Sequence, residues 1–449
     1  MSRPRLRVAI CGAGVGGLVL AAALSQVSDI KVDVYEAAND LAQAGPGVGL
    51  WPRSWKALQA LGLAQDLARA AIIPPERIVP VAFNLRKGDD ACGGTTFAQL
   101  ATPGMLSFQR RAFQRALLRQ LAAHACRTHT ARRLVSFAQP RAPAEPIQLC
   151  FADGSAAACD VLVGADGVAS AVRAGMLGAV ADELDAQGDA AAAAAVRRRA
   201  QPVWSGTVAY QTTVPAAALR ARAADHRALQ APYVYLGKNA ELTAYPIARG
   251  TLVSIAAFVA QPGREGTESD MPVVCEVRGD EVAQGFVGWE SDVQALLDCV
   301  TTASRWAVHT TAPLCRYAHR RVVLIGDAAH AMTPYQGAAD GQAVEDALVL
   351  SAMLSHPSTT VHTLARATEI YDAVRRPEAS RVAAISRDAG LLYMLSYPGL
   401  VPDDDGGGHE RTLGDISDRI RRDWVWAWDT SAQADLENAV AMLQAEAKC

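Results

Sequence analysis

Residues 8–17, VAICGAGVGG, join an apolar strand to a helix through a glycine-rich turn. Gly12, Gly14 and Gly17 satisfy the pattern G-x-G-x-x-G directly after the strand. The first glycine permits a tight turn, the second lets a pyrophosphate approach the backbone, and the third lets helix and strand pack closely. The stretch therefore predicts a dinucleotide-binding unit, whereas a glycine-rich turn without a ligand is the weaker alternative.

An acidic residue strengthens this prediction. The next strand, KVDVY (31–35), ends at Glu36, about 20 residues beyond the glycines, where a carboxylate accepts hydrogen bonds from an adenosine ribose. A carboxylate at this position disfavours a 2′-phosphate. The groove should therefore hold FAD or NAD rather than NADP.

Two further apolar strands run into aspartate turns. Residues 161–163 lead into GADG, which contains Asp166, and residues 321–325 lead into GD, which contains Asp327. Strands that are apolar without alternation suit a parallel sheet buried on both faces. An aspartate after such a strand can also cap the next helix, so for Asp166 capping and cofactor organisation both remain open.

Different material lies between these two strands. The pieces TVAYQTTV, YVYLG, LTAYPI and LVSIAAFV, from about residue 208 to 258, are rich in β-branched and aromatic residues and predict an antiparallel sheet. With 449 residues, two domains are expected. We predict a cofactor domain (1–75, 101–178, 301–390), an inserted substrate domain (76–100, 200–300) and a C-terminal helical segment (391–449).

Composition excludes several classes of partner. The net charge of −3 provides no basic field for nucleic acid or anionic lipid. The nine cysteines contain no C-x-x-C pair, so neither a disulfide framework nor a zinc ribbon is indicated, and a reduced cytoplasmic setting fits best. The histidines are dispersed, so no metal site is predicted. The N-terminus leaves no room for a signal peptide, and the most apolar stretch, residues 15–24, is too short to span a membrane.

Three segments outside the motifs have local interpretations. Residues 189–200, DAAAAAAVRRRA, predict an exposed helical insertion or a disordered loop, with a patch for an anionic partner as the alternative. Residues 402–410, PDDDGGGHE, predict a loop. Trp424, Trp426 and Trp428 do not share one helical face, and packing onto the main body is favoured over a dimer contact.

The motifs together resemble the class A flavoprotein monooxygenases, the aromatic hydroxylases, and among them salicylate hydroxylase-like proteins. The resemblance rests on GAGVGG with Glu36, on DVLVGADGVASAVR (160–173) and on RVVLIGDAAHAMTP (321–334) continuing into GQAVEDA. It covers residues 7–390 in the correct order. It implies an α/β fold, in which a Rossmann-like FAD-binding domain of the glutathione reductase type carries an inserted antiparallel-sheet substrate domain and a C-terminal helical segment.

The resemblance also implies specific contacts with FAD. Asp327 would meet the ribityl and pyrophosphate region, and the loop 334–341 would pass beside the isoalloxazine ring with its backbone N–H groups. Arg110 would reach the cofactor, although the assignment could shift to Arg111, and Asp166 and Arg173 would organise the surface shared with NAD(P)H. Within residues 45–55, Val48 and Gly49 would be backbone contacts. The implied FAD-binding residues are Gly12, Gly14, Gly17, Glu36, Val48, Gly49, Arg110, Asp166, Asp327, Pro334, Gly337, Ala339 and Asp340.

The activity implied by the resemblance is aromatic hydroxylation. NAD(P)H would reduce FAD, and reduced FAD with O2 would form a C4a-hydroperoxide that hydroxylates a phenolic or hydroxybenzoate-type ring. Decarboxylation would accompany attack at a carbon that bears a carboxylate. The choice between NADH and NADPH stays open, and the protein is expected to be a monomer or homodimer.

Two departures from the family pattern stand out. Tyr335 and Ala339 occupy positions where the family loop has histidine and glycine, and a positive φ at Ala339 would cost about 1 kcal/mol or more. The family often has Tyr-Arg in the substrate-domain strand, where this chain has Tyr-Gln211. A cationic substrate anchor is then either missing or supplied from elsewhere, by Arg53 or Arg249.

Activation of a phenol by deprotonation calls for a base or proton relay that faces the ring. Our candidates are Tyr210 and Tyr235 in the predicted sheet and Tyr335 in the flavin loop. Tyr245 and His226 lie on or beside the same sheet, and for each of these residues packing is the alternative. His330, after the GD motif, is expected to be structural.

Two other functions remain as alternatives. The first is a flavoprotein epoxidase or oxidase that acts on a non-aromatic secondary metabolite; a halogenase should carry W-x-W-x-I-P, whereas WVWAWDT (424–430) lacks Ile-Pro. The second is a non-catalytic binding module of the GDI type. Such a module would be expected to have lost residues of the flavin-binding motifs, yet Glu36, Asp327 and Pro334 are present.

Overall fold

The computed structural model describes residues 4–42, 47–122, 126–140, 142–400 and 409–446. Its strands are β1 (Leu6–Cys11), β2 (Ile30–Tyr35), β3 (Val48–Leu50), β4 (Val81–Lys87), β5 (Thr95–Thr102), β6 (Leu106–Phe108), β7 (Cys126–His129), β8 (Leu134–Ala138), β9 (Ile147–Phe151), β10 (Ala156–Cys159), β11 (Val161–Gly164), β12 (Pro202–Pro215), β13 (Tyr233–Gly237), β14 (Ala240–Ile247), β15 (Leu252–Ala260), β16 (Val274–Arg278), β17 (Thr302–Thr311), β18 (Ala318–His319) and β19 (Val322–Leu324). Its helices are α1 (Val15–Ser25), α2 (Pro52–Ala60), α3 (Ala64–Ala68), α4 (Arg110–Ala122), α5 (Ala171–Ala186), α6 (Ala190–Arg199), α7 (Ala216–Arg222), α8 (Gly279–Gln284), α9 (Ser291–Leu297), α10 (Asp327–His330), α11 (Ala339–Ser355), α12 (Leu364–Tyr393), α13 (His409–Asp429) and α14 (Gln433–Glu446).

The first sheet contains the three apolar strands that precede the motifs. Its order is β18-β19-β11-β1-β2-β7, and every pair is parallel except β18 with β19. Val8 lies opposite Val161 on one side and Val32 on the other. Strands β11 and β19 are buried throughout, which explains why their sequences do not alternate. The turns after β1, β11 and β19 consequently lie at the same edge of the sheet.

The second sheet has eight strands in the order β16-β17-β12-β15-β14-β13-β4-β5. Its pairs are antiparallel except β13 with β4. These antiparallel strands confirm the antiparallel sheet that we predicted as an insertion in the fold. Strand β17 runs to Thr311, beyond the boundary that we predicted at residue 300.

The two faces of this sheet have different neighbours. The back face, which includes Tyr210 and Tyr235, packs in one core with Leu219 of α7, Val282 of α8 and Val293 of α9. The front face, which includes Ala209 and Phe258, packs against the loop that follows α10 and against Met394. The front face therefore meets the loop that follows the first sheet, whereas the described residues of the back face form a separate core.

The C-terminal region is helical, as predicted. Trp424 and Trp426 are buried in α13 and Trp428 is partly buried. Trp424 and Trp428 stack with their ring centroids 5.6 Å apart, while Trp426 donates from Nε1 to Gln336 Oε1 over 3.2 Å. The tryptophans thus pack onto the main body through two faces of the helix. Of the predicted loop 402–410, residues 402–408 lie outside the described residues, and α13 already begins at His409.

The alanine-rich segment forms a helix rather than a disordered loop. The side chain of Asp189 accepts a hydrogen bond from Ala192 N over 3.0 Å and caps α6. Ala193 and Val196 are buried, and Arg197 pairs with Asp182 of α5 at 2.6 Å. One of the three arginines at the basic end is thus paired within the chain. Across the described ranges, no helix combines the length and apolarity needed to cross a bilayer.

Candidate active site

The glycine-rich turn is closed toward the sheet and open toward the outside. Gly12 has φ +108°, and a Cβ there would lie 2.1 Å from Ala165 O. A Cβ on Gly17 would lie 2.0 Å from Gly12 O, so helix and strand touch at that point. A Cβ on Gly14 would meet nothing within 4 Å. The turn thus leaves room for a ligand on its outer side, next to Gly14.

The start of α1 is built for an anion. Gly14 occupies the N-cap position without a side-chain cap, and the first turn carries no acidic residue, so its N–H groups can donate to phosphate oxygens. Beside it, Glu36 accepts hydrogen bonds from Ala13 N and Ala38 N, both over 2.8 Å. These bonds fix the carboxylate at the side of the turn.

The second turn, between β19 and α10, is anchored from below. Gly326 has φ 57° and ψ −142°, a combination available essentially to glycine alone. Asp346 Oδ2 accepts from Gly326 N over 2.9 Å and lies 2.6 Å from His330 Nε2. Burial opposes ionisation of Asp346, but the attraction of His330 and Arg375 prevails and lowers its pKa to about 2. His330 thus has the structural role that we predicted.

A cleft opens above this turn. Asp327, Pro334 and Gly337 are exposed, although residues next to them in the chain, such as Ala328 and Ala338, are buried. Protein atoms nevertheless crowd Asp327, and this desolvation raises the pKa of its carboxyl group, while His330 and Arg110 act in the opposite direction. An accessible carboxylate on the floor of a cleft is thus available to a ligand's hydroxyl groups.

Arg110 lines the same cleft. Its Nη2 donates to Asp340 Oδ2 over 3.0 Å. Burial raises the pKa of Asp340, and the charge of Arg110 opposes that rise. Arg111 instead faces Asp40 and the carbonyl of Ala42. The structure therefore favours Arg110 over Arg111 for the cofactor contact.

The backbone of the loop 334–341 accommodates Ala339 in an ordinary conformation. Gly337 is the residue in the left-handed region, with φ 57°, whereas Ala338 has φ −92° and Ala339 starts α11 without a positive φ. The conformational cost that we considered for Ala339 does not arise. The N-cap of α11 has no side-chain hydrogen bond, so this helix also presents N–H groups at the cleft.

The segment from Val48 to Trp55 lies against this loop. Val48 is buried in β3 and pairs with Phe108 of β6, and a Cβ on Gly49 would lie 2.6 Å from the sulfur of Met105. Trp51 donates from Nε1 to the carbonyl of Gln336 over 2.9 Å. The first residues of the predicted segment, 45 and 46, lie outside the described residues.

A comparison with known proteins agrees with this geometry. A model of the FAD binding domain family matches residues 5–221 and 277–386. The FAD-dependent monooxygenase str9 of Strobilurus tenacellus is 34% identical over 467 residues, covering 98% of each chain. A salicylate hydroxylase of Pseudomonas putida is 34% identical over 449 residues, covering 98% of this chain and 95% of the relative. A solved salicylate hydroxylase substrate complex superposes with a TM-score of 0.79 at 32% identity, covering 97% and 98% of the two chains.

The chain belongs to the class A FAD-dependent monooxygenases. The predicted family, enzyme class and cofactor are confirmed by these matches. The described residues also fit FAD, because two uncapped helix starts, the open side of Gly14 and the exposed Asp327 lie along one edge of the first sheet. The individual cofactor contacts remain proposals.

Asp166 and Arg173 both have hydrogen-bond partners within this monooxygenase. Asp166 Oδ2 accepts from Val172 N over 3.1 Å, and Ser170 donates its hydroxyl to the other carboxylate oxygen. Arg173 is fully buried and donates to the carbonyls of Ala200 and Ala328, both over 3.0 Å. Of the two roles open for Asp166, the structure shows the capping role.

The monooxygenase brings only one of the three candidate tyrosines to the front face. The ring centroid of Tyr335 lies 5.1 Å from that of Phe258. Tyr210 points into the back-face core, with its hydroxyl 3.3 Å from Glu281 Oε1, and Tyr235 is fully buried in the same core. Successive strand residues point to opposite faces, so Tyr210 and Tyr235 face away from Tyr335. We correct our expectation that they face the substrate ring.

The two arginines considered as substrate anchors are also placed elsewhere. Arg53 is buried, and its Nε donates to both oxygens of Glu345 over 3.1 Å. Arg249 is exposed in a turn with φ 56°. Arg53 is thus held by an ion pair with α11 and Arg249 lies at the surface, so the structure assigns neither as an anchor. His226, bonded to the carbonyl of Asp292, also has a local partner.

The residue that our sequence reasoning missed is Glu241. It lies in β14 between Ala240 and Leu242, whose side chains belong to the back-face core, so Glu241 points to the front face. Its exposure is only 3%. Burial raises its pKa to about 8, with a hydrogen bond from Thr243 opposing the rise. The alternation of AELTAYPI contained this signal, since a glutamate occupies one of the positions that face the cofactor side.

Proposed function

We propose that this monooxygenase hydroxylates a phenolic or hydroxybenzoate-type aromatic ring and uses NAD(P)H and O2 as co-substrates. The observation that carries the proposal is the contact of Tyr335 with the front face, where its ring lies 5.1 Å from that of Phe258 and packs with Ala209 and Met394. Aromatic and sulfur-containing side chains suit a flat ring. The names of the salicylate hydroxylase relatives support the same substrate class.

The chain's own residues would bind the cofactor, hold the ring and exclude water. FAD, when bound, supplies hydride acceptance from NAD(P)H and activation of O2 for the transfer of one oxygen atom. Asp327 would accept hydrogen bonds from ribityl hydroxyls, and the N–H groups at the start of α11 would stabilise negative charge on the cofactor. Burial raises the pKa of Tyr335, so its phenol stays protonated and contacts substrate as a neutral ring.

The products depend on the substituent at the attacked carbon. A ring that bears hydrogen there becomes a phenol, with water formed from the second oxygen atom. A ring that bears a carboxylate there would lose carbon dioxide when the hydroxyl group is added. The proposal covers both outcomes for this site.

The test is NAD(P)H consumption by the FAD-loaded protein against a panel of phenols and hydroxybenzoates, with product masses. We expect substrate-stimulated oxidation coupled to a gain of one oxygen, or to replacement of the carboxylate by a hydroxyl group. Absence of stimulation by every aromatic compound would overturn the proposal and favour the epoxidase or oxidase alternative.

Replacement of Asp327 tests the cofactor assignment. The variant Asp327→Ala removes the acceptor from the cleft floor, and we expect FAD retention after gel filtration to fall about tenfold or more, since hydrogen bonds to a charged group contribute about 1.5–3 kcal/mol. Flavin absorbance per protein is the measurement. Asp225→Ala, at an exposed position, is the matched control and should keep its flavin. Unchanged flavin content in Asp327→Ala would show that this assignment is wrong.

A further inference from the structure

Glu241 is an ionisable group placed where an aromatic substrate would meet the second sheet. It lies opposite Phe258 of β15 and Leu236 of β13 in the strand register. Phe258 in turn contacts the ring of Tyr335 from the loop 334–341. A carboxyl group thus lies next to the aromatic contact that joins the sheet to the cofactor side.

The protein leaves most of this carboxyl group unbonded. Thr243 Oγ1 donates to Oε2 over 3.2 Å, and within the described ranges this is the only hydrogen bond that Glu241 makes. Oε1 has no hydrogen-bond partner among the described residues, yet it is not one of the fully enclosed polar atoms. Because a buried carboxyl group without partners is costly, this free oxygen is available to a group on the substrate.

The described part of the chain places no cation in an ion pair with Glu241. Glu241 forms no ion pair with any described lysine, arginine or histidine, and burial is the main influence on its pKa, which rises to about 8. The titratable groups near it are the phenols of Tyr335, in the loop, and Tyr393, in α12. Burial raises the pKa of both phenols, so neither changes its charge near neutral pH. Above pH 8 the site therefore carries one uncompensated negative charge.

We propose that Glu241 determines substrate specificity, by admitting rings that present a hydroxyl or amino group to the front face and rejecting rings that present a carboxylate there. This inference rests on the proposed function and narrows it to phenols and anilines. A hydroxyl or amino group donates a hydrogen bond to Oε1. A ring carboxylate is repelled by Glu241 when Glu241 is ionised. It binds only when Glu241 is protonated, so its binding weakens as pH rises. Gln211 is neutral, and among the described residues the exposed Arg249 forms no ion pair with Glu241.

The experiment compares two probes that differ in one substituent, 2-methylphenol and salicylate. Their dissociation constants are measured from pH 6.5 to 9 with the FAD-loaded protein, by perturbation of the flavin spectrum and by calorimetry. We expect 2-methylphenol to bind with little pH dependence. Salicylate should bind about fivefold or more weakly at pH 9 than at pH 7, if its charge raises the pKa of Glu241 by about one unit.

The variant Glu241→Gln keeps the shape and removes the charge. It should bind salicylate with a flat pH profile and improve the ratio of salicylate to 2-methylphenol binding at pH 9. Glu276→Gln, at an exposed position of β16, is the matched control and should keep the wild-type profile. Proton uptake on binding, from calorimetry in two buffers, should accompany salicylate binding in the wild type near pH 8 and be absent in Glu241→Gln.

The outcomes separate this inference from the proposed function. A flat salicylate profile in the wild-type protein, or an unchanged slope in Glu241→Gln, would overturn the role of Glu241 while leaving aromatic hydroxylation intact. If Glu241→Gln does not fold, the pH profile of salicylate binding by the wild-type protein still tests the role of Glu241. Failure of both probes to bind the FAD-loaded protein would contradict the proposed function and the inference together.

Discussion

At the scale of single residues, the strongest chemical conflict is a carboxyl group inside an apolar face. Glu241 is 3% exposed and receives one hydrogen bond from the protein. Transfer of a charged carboxylate into such surroundings is unfavourable, so the folded protein holds the proton. The residue is therefore retained at a cost in stability, as expected if it has the recognition role that we propose.

This cost predicts a pH-dependent stability. Because the pKa of Glu241 rises from 4.5 in the unfolded chain to about 8 in the folded protein, its proton favours the folded state fully below pH 4.5. That contribution is lost as pH rises through this window, at up to about 1.4 kcal/mol per pH unit. In urea unfolding of the FAD-loaded protein from pH 5 to 9, Glu241→Gln should gain stability relative to wild type as pH rises. Parallel curves for the two proteins would contradict the burial effect, and Glu276→Gln should follow the wild type.

At the scale of elements, the cofactor cleft depends on how a strand becomes a helix. The turn after β19 needs Gly326 at φ 57° and ψ −142°, with its N–H bound to Asp346 of α11. A Cβ at this position would lie 3.2 Å from Ala343 Cβ, also in α11. Asp327, which we propose as a cofactor contact, is thus positioned by one turn that requires glycine and packs against α11.

The turn predicts a glycine requirement. Gly326→Ala should destabilise the protein by about 1–3 kcal/mol, because alanine rarely adopts this conformation, and should reduce FAD retention. Denaturation midpoints and flavin content are the measurements. Gly414→Ala is the matched control, because Gly414 lies within α13 and a Cβ there meets nothing within 4 Å. It should stabilise the protein by about 0.5–1 kcal/mol. Equal behaviour of the two variants would contradict the strain argument.

At the scale of the whole molecule, a buried charge cluster joins the C-terminal helices to the cofactor domain. Arg375 of α12 is fully buried and lies 3.0 Å from Asp346, 3.3 Å from Glu345 and 3.1 Å from Asp435 of α14. Arg53 of α2 shares Glu345. Burial disfavours the charge of Arg375, but its three carboxylate neighbours prevail and raise its pKa. The cluster also holds Asp346, which anchors the turn before Asp327.

Removal of this cation should affect the entire fold. Arg375→Met leaves two buried carboxylates without their shared partner, and we expect a loss of about 3–5 kcal/mol in the free energy of unfolding. Urea denaturation measures the loss, and limited proteolysis should show earlier release of the C-terminal helices. Arg376→Met removes the adjacent, partly exposed cation, which pairs with Asp372, and should cost about 1 kcal/mol or less. Similar losses in both variants would rule out a special role for the cluster.

The sequence by itself determined the cofactor half of this protein. Gly12, Gly14 and Gly17 act within one turn, and Glu36 and Asp327 each lie within three residues of the end of the strand that positions them. Such signals are local, because strand, turn and helix geometry link residues that are close in the chain. They were enough to predict the family, the cofactor and the inserted sheet.

Two features depend on the tertiary structure: which face of the second sheet meets the flavin loop, and which charged residues pair over long sequence distances. The alternation of β12 and β14 separates Tyr210 from Ala209 and Glu241 from Leu242, but it does not say which set meets the cofactor side. That choice depends on where α7, α8 and α9 pack. Likewise, Arg375 and Asp435 are 60 residues apart, and no local pattern pairs them. The sequence therefore determined what this protein binds as a cofactor, and only the packing of the second sheet against the flavin loop decided that Glu241 and Tyr335, rather than Tyr210 and Tyr235, lie at the front face of that sheet.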